Sequence, residues 1–283
     1  DYLPSPENLP ASRATERIAQ SMAKWHERLA LLPPVEQEQL RELTEGHKGK
    51  ALLESIFGHS PYLGRCLLLE PSILTKLASK GLENCLADVL AECDSATLAR
   101  RKKSEVEATL RQAKRRIALL TAIGDISGQW CLSRVTEALS SFADRALETA
   151  LAHLLLAAQE RGDLLLVDQQ QPLRGCGYAV LAMGKYGARE LNYSSDIDII
   201  TLYDPKAVDF RGKRGVQEAM VRLTRELARM IDERTGEGYV FRTDFRLRPD
   251  PGATPLCLSL SAALTYYESL GQNWERAAMI KAR

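Results

Sequence analysis

Little in this 283-residue sequence points to a bulk partner. Lys and Arg number 38 against 37 Asp and Glu, a formal charge of +1. No acidic or basic excess therefore marks the chain for nucleic acid or for an anionic membrane surface. Long apolar runs are missing too: LAHLLLAA at 151–158 falls well short of the roughly 20 residues that span a bilayer. The opening DYLPSPENLP carries three prolines but neither the basic start nor the apolar stretch of a secretory leader. Histidine is scarce, and His26, His47, His59 and His153 share no ligand spacing. The six cysteines (Cys66, Cys85, Cys93, Cys131, Cys176, Cys257) form no CxxC pair. A zinc site is not expected; reduced, mostly buried cysteines in a cytoplasmic protein are. The chain lacks an initiating Met and stops in WERAAMIKAR, which reads as the middle of a helix without a cap. The expectation is a fragment of a longer protein.

What is present divides into two grammars. From 11 to 32 the apolar positions Ile18, Met22, Trp25 and Leu29 recur at helical spacing, and Pro33-Pro34 ends the pattern. Short helices are predicted near 35–44, 48–57, 61–69, 71–80 and 82–92, with Pro61 and Pro71 at first-turn positions. A long basic helix is predicted over 95–123, broken by Gly124, and a second over 126–159. The runs at 100–103 (RRKK) and 114–116 (KRR) read first as a solvated face, and alternatively as a route by which Arg115 or Arg116 reaches a ligand or an acidic partner. No fixed-period repeat is seen.

After about residue 160 the pattern changes. Strands are predicted at 176–183, 195–203 and 239–247, a helical turn at 188–192, and helices at 212–235 and 261–270. The expected fold class is α+β, with a helical region at 1–125 and an α/β catalytic domain with a small mixed sheet flanked by helices at 126–283, truncated at its C-terminal end.

Three segments carry chemistry. In SSDIDII, Asp196 and Asp198 are two apart, so a strand projects both to one side while Ile197 and Ile199 face the apolar layer. Paired carboxylates suit divalent ions about 3.5–4 Å apart that bridge phosphate oxygens. In LAMGKYGARE, Gly184, Lys185 and Gly187 form a turn whose backbone can approach a phosphate while Lys185 adds charge. It lacks the spacing of a P-loop or a dinucleotide fingerprint. In FRTDFRLRP, Asp244 is placed by even spacing on one strand face with Arg242, Arg246 and Arg248. Each segment alone has an ordinary structural reading: a solvated acidic edge, a strand-to-helix turn, a salt-bridge network. Trp274, Glu275 and Arg276 read as packing and ion-pairing residues, and Tyr266 and Tyr267 as core and interface residues.

Together the Gly turn, the DxD strand and the later third Asp resemble the DNA-polymerase-β-like nucleotidyltransferase superfamily. MGKYGARELNYSSDIDIITLYD, GYVFRTDFRLRP and NWERAAMIKAR resemble more closely the bifunctional glutamine-synthetase adenylyltransferase/adenylyl-removing enzymes of bacteria. The likeness is strong over 176–283 and looser before it. ELNYSSDID is similar to the N-terminal half of that family, which removes AMP, rather than to the EMTxxSDLD wording of the half that attaches it. Tyr186 and Ala188 depart from the Leu and Gly common in the family's turn.

The resemblance implies that Asp196, Asp198 and Asp244 are catalytic and hold two Mg²⁺ ions. It implies that Gly184, Lys185, Gly187, Ser195, Arg246 and Arg248 bind nucleotide or phosphate. The implied reaction is phosphorolysis of adenylylated tyrosine on glutamine synthetase, giving ADP and free tyrosine. The implied partners are adenylylated glutamine synthetase, inorganic phosphate, the AMP/ADP moiety and a PII-type nitrogen-signalling protein. Two other readings stay open: the ATP-dependent adenylylating half, which needs the same acids, and an idle binding module, which would be expected to have lost them.

Overall fold

The computed structural model describes residues 2–213 and 215–283. The chain divides into two compact units that interleave in sequence. One comprises Asp1–Ala91 with Gln112–Ala138, the other Glu92–Arg111 with Leu139–Arg283. The sequence had suggested a single cut at 125/126.

The first unit is helical. It contains α1 (Thr15–Leu29), α2 (Pro34–Glu45), α3 (His47–His59), α4 (Pro61–Leu69), nearly all of α5 (Ile73–Glu92), and parts of α6 (Lys103–Ile126) and α7 (Leu132–Glu160). The helical spacing read in α1 buries Trp25 and Leu29, beside Leu40, Leu52, Leu53, Phe57 and Leu67. Pro34 and Pro61 sit in first turns, and the Ser60 hydroxyl caps α4 by accepting from Leu63 N–H at 3.2 Å. The break between 80 and 82 is a kink at Gly81 within α5.

Three expectations are corrected. Residues 95–102 lie outside a long helix: Asp94 ties them into turns, its carboxylate accepting from Ala96 N–H at 2.8 Å, and α6 starts at Lys103. Gly124 does not end α6, which runs on to Ile126. Instead a Cβ there would lie 2.7 Å from the Trp130 ring, so the glycine makes room for the indole. Nor is KRR a solvated face. Glu70, its side chain 10% exposed, accepts from Arg115 Nη2 at 2.7 Å and Arg116 Nε at 2.8 Å. RRKK is exposed, as expected.

The second unit holds the strands. β1 (Leu164–Leu165) pairs antiparallel with β4 (Asp209–Phe210). The main sheet is built on β3 (Ile197–Tyr203), antiparallel to β2 (Tyr178–Ala182) and parallel to both β5 (Thr243–Asp244) and β6 (Cys257–Ser259). Between β2 and β3 lies the short turn α8 (Gly184–Gly187), four residues earlier than the turn predicted at 188–192. Amphipathic α9 (Val216–Asp232) buries Met220, Leu223, Leu227, Met230 and Ile231 and packs beside β5 and β6. Its expected start at 212 was early; Arg214 lies outside the described residues. α10 (Leu260–Ser269) and α11 (Asn273–Ala278) follow, the latter with a capping box between Gln272 and buried Glu275. Trp274 is 57% exposed, against the packing role expected of it. Arg276 donates to the Tyr267 carbonyl at 2.9 Å. No helix among the described residues is long and apolar enough to cross a membrane. Five cysteines are buried and Cys131 is exposed.

The predicted 239–247 strand shrinks to two residues. Val240 and Phe241 N–H both donate to the Ile231 carbonyl at the end of α9. Further along, the edge of β3 beyond Asp198 is taken by β6 at Thr201–Tyr203, so 245–256 leaves the sheet as a loop. Buried Arg111 holds the approach to β5, donating to the carbonyls of Glu233 and Gly238 at 2.9 and 3.0 Å.

Replacing Glu70 with Gln leaves two guanidiniums buried around a neutral amide. Breaking such a buried pair typically costs about 3–5 kcal/mol. Urea unfolding of Glu70→Gln is expected to show a loss of that order, and an unchanged midpoint would contradict the structural role given to this cluster.

Candidate active site

The register of the β3–β5 pair brings two acids together. Ile197 aligns with Thr243 and Asp198 with Asp244. In a parallel pair aligned side chains leave the sheet on the same side. Ile197 and Ile199, both fully buried, anchor β3 from below. Asp196 immediately precedes β3 and, two residues from Asp198, is carried to the same region. The Gly turn packs against this centre. Met183 N–H donates to the Asp198 carbonyl at 2.9 Å. Gly184 has φ +54°, and a Cβ there would stand 3.1 Å from Asp198 Oδ2, so a side chain would be both strained and crowded. Gly187 is closed in by the backbone carbonyls of Ala182 and Lys281.

The charges are unevenly compensated. Burial pushes the half-buried Asp198 carboxyl above the usual carboxylate range, and the neighbouring charges of Asp244 and then Asp196 push it further. Asp244 is held below that range by the Arg246 guanidinium, whose Nε donates to Oδ2 at 2.8 Å. Arg246 N–H also reaches Asp244 Oδ1 at 2.8 Å. Asp196 Oδ1 is paired with Arg242 Nε, while Arg242 Nη2 donates to the Ser194 carbonyl at 2.7 Å. Sequence spacing sets Arg242 beside Asp244, as one of three arginines for a salt-bridge network or for phosphate. Its partner in the structure is Asp196.

The donor set suits a hard divalent cation: three carboxylates, one of them crowded by the other two. Among the described residues, however, no three His, Cys, Asp or Glu side chains are gathered closely enough to hold a metal ion as they stand. Arg242 is paired with Asp196 and Arg246 with Asp244.

The remaining expected residues divide. Lys185 is exposed on the turn beside the acids. The Ser195 hydroxyl accepts from Asn192 N–H at 3.3 Å, in the loop leading to Asp196. Arg248 is not turned to this centre. Its Nη1 donates to Phe245 O at 3.0 Å and its Nη2 to Pro251 O at 2.6 Å, bracing the 245–256 loop. Its Nε is buried without a hydrogen-bond partner. The expectation that Arg242, Arg246 and Arg248 share a strand face with Asp244 fails because β5 ends at Asp244.

Opposite pH signatures follow from the opposite shifts. Asp198, raised in the folded state, favours folding below its unfolded value, a contribution lost as pH rises through the folded one. Asp244, depressed, stabilises above its unfolded value and loses this as pH falls through the folded one. Near neutral pH, Asp198→Asn is expected to melt at or above the wild-type temperature and Asp244→Asn below it. Both differences should shrink as pH falls through the carboxylate range. Thermal melts of the two variants across pH 3–8 check this, and a shared sign at neutral pH would contradict it.

Comparison with known proteins sets this geometry in a family. Residues 50–283 match the model of the glutamate-ammonia ligase adenylyltransferase family. A bifunctional glutamine synthetase adenylyltransferase/adenylyl-removing enzyme from Bradyrhizobium diazoefficiens is 44% identical over 276 residues, 98% of this chain and 27% of that relative. One of the same description from Rhizobium meliloti is 46% identical over 239 residues, 83% of this chain and 24% of the relative. The chain thus spans about a quarter of the length of these relatives, and on the extent of the match it belongs to the glutamate-ammonia ligase adenylyltransferase family.

Proposed function

We propose that this chain is an adenylyl-removing nucleotidyltransferase with a DNA-polymerase-β-like fold, which takes AMP from a modified tyrosine of glutamine synthetase by phosphorolysis. The observation that carries the reading is the alignment of Asp198 with Asp244 across β3 and β5, with Asp196 two residues away. The choice of removal over addition rests on the resemblance of ELNYSSDID to the family's AMP-removing half. The names of the relatives, which give both activities, support the substrate protein. A PII-type signalling protein is the regulator the resemblance implies.

The chemical difficulty is electrostatic, since one phosphate anion must approach another. Asp196, Asp198 and Asp244 would hold two Mg²⁺ ions, which when bound neutralise charge on the phosphate oxygens and on the departing phenolate. The carboxylates fix where that charge sits; the isoleucines beneath Asp198 keep its strand from shifting. Arg242 and Arg246, exposed at the rim, become free to bind phosphate oxygens once they leave the acids. Lys185 supplies a point charge from the turn. Arg248 keeps the loop after Asp244 in shape. Phosphate attacks the AMP phosphorus, the bond to the tyrosine oxygen breaks, and ADP leaves. Because phosphate already carries the nucleophilic oxygen as an anion, no strong general base is required.

Incubation with adenylylated glutamine synthetase, Mg²⁺ and phosphate is expected to yield phosphate-dependent ADP. Asp196→Asn should lower the rate by at least about 100-fold without unfolding the chain, since even indirect changes around a metal ligand cost 10–100-fold. Near-wild-type turnover of that variant would remove the metal assignment. Transfer of AMP from ATP to unmodified glutamine synthetase would instead identify the adenylylating reaction.

A further inference from the structure

The acid centre depends on a turn too short to be stable alone. α8 has four residues, and isolated helical turns are costly to nucleate. Its own closures are Gly187 N–H to Met183 O at 2.9 Å, Ala188 N–H to Gly184 O at 3.1 Å, Arg189 N–H to Tyr186 O at 3.1 Å and Glu190 N–H to Lys185 O at 2.8 Å. Yet it carries Lys185, and its Gly184 backbone lies against Asp198. Side chains from outside the turn add to these closures.

The side-chain restraint is centred on the carboxylate of Asp144, on α7. Tyr186, between Lys185 and Gly187, is 3% exposed, and its phenol donates to Asp144 Oδ1 at 2.7 Å. Burial pushes the phenol far up, so it remains an O–H donor. Arg283 Nη2 donates to the same oxygen at 2.7 Å, and its guanidinium stands 5.5 Å from the Tyr186 ring centroid. Arg283 in turn exchanges both backbone hydrogen bonds with Ala182, at 2.8 and 3.0 Å, just before the turn. On the far side, Arg189 Nη2 reaches Asp144 Oδ2 at 3.4 Å. One carboxylate thus gathers a group from within the turn, one tied to the strand before it and one from Arg189, two residues beyond its end.

We propose that Asp144 is a positioning residue for the reaction, acting through the Tyr186 phenol to fix the glycine turn that presents Lys185 and the Gly184 backbone to the phosphate. The proposal rests on the phosphorolysis reading for its kinetic consequence. A loosened turn weakens a contact made in both ground and transition states, so KM for phosphate changes more than kcat.

The test uses the 283-residue chain with Tyr186→Phe, which keeps the ring and removes only the hydroxyl, and with Asp144→Asn. Hydrogen exchange on the ligand-free chain is expected to quicken at the Gly187 and Ala188 amides in both variants, by about tenfold relative to wild type. The α7 amides flanking residue 144 should be unchanged. In the ADP-forming assay KM for phosphate should rise about fivefold with kcat within about twofold. The double variant should add little to either single one, as expected of groups acting through one contact. Unchanged turn exchange in Tyr186→Phe, or equal loss of protection along α7, would overturn the proposal. Should Asp144→Asn fail to fold, Tyr186→Phe decides alone. A wild-type chain that forms no ADP would sink the phosphorolysis reading, and the exchange result would still decide this one.

Discussion

The structure turns on an unfavourable contact: carboxylates held side by side by sheet register. Pairing Asp198 with Asp244 across parallel strands sets like charges on one side of the sheet, in partly desolvated surroundings that favour the neutral form of Asp198. Much of the second unit sustains this arrangement. Ile197 and Ile199 pin β3 in the core, and β6 occupies the rest of its edge so that β5 can pair only at Ile197 and Asp198. Arg111 secures the approach to β5. Under the proposed function, the combined field of these acids would serve to bind a cation beside phosphate oxygens.

The guanidiniums compensate this centre from its rim. With Arg242 on Asp196 and Arg246 on Asp244, the excess negative charge is met internally and only Asp198 stays without a direct ion pair among the described residues. Under the proposed reaction, moving the arginines outward would uncover the acids and offer cationic groups to an incoming anion at the same time. Both arginines are exposed, so the exchange needs no repacking of the core, and exposed pairs of this kind are individually weak.

Legibility followed the range of the interactions. Helices of the first unit were readable from apolar spacing and prolines because those signals act within a few residues, as Trp25 and Leu29 in α1 illustrate. β2, β3 and α9 were equally plain. The extent of β5 was hidden: YVFRTDFRL alternates like a strand, but its length is limited by competition from β6 for the same edge. Gly124 read as a break because glycine's local meaning is flexibility, whereas its role is to admit Trp130. The three acids could be chosen from spacing and resemblance. The partners of the arginines could not, since Arg248 against backbone carbonyls, Arg115 against Glu70 and Arg242 against Asp196 are long-range or loop contacts that no periodicity encodes. Tyr186 stood out as a departure from the family wording, but its tie to Asp144, 42 residues away, required the structure.

The proposed function requires Asp196, Asp198 and Asp244 together to form a divalent-cation site. The most direct measurement is titration of the chain with Mn²⁺, a paramagnetic stand-in for Mg²⁺, followed by the loss of the free-ion electron paramagnetic resonance signal. Saturable binding that Mg²⁺ displaces, and that disappears in the folded Asp198→Asn/Asp244→Asn double variant, is the result predicted. Mn²⁺ binding that is absent in the wild type with ADP present, or undiminished in the double variant, would contradict it.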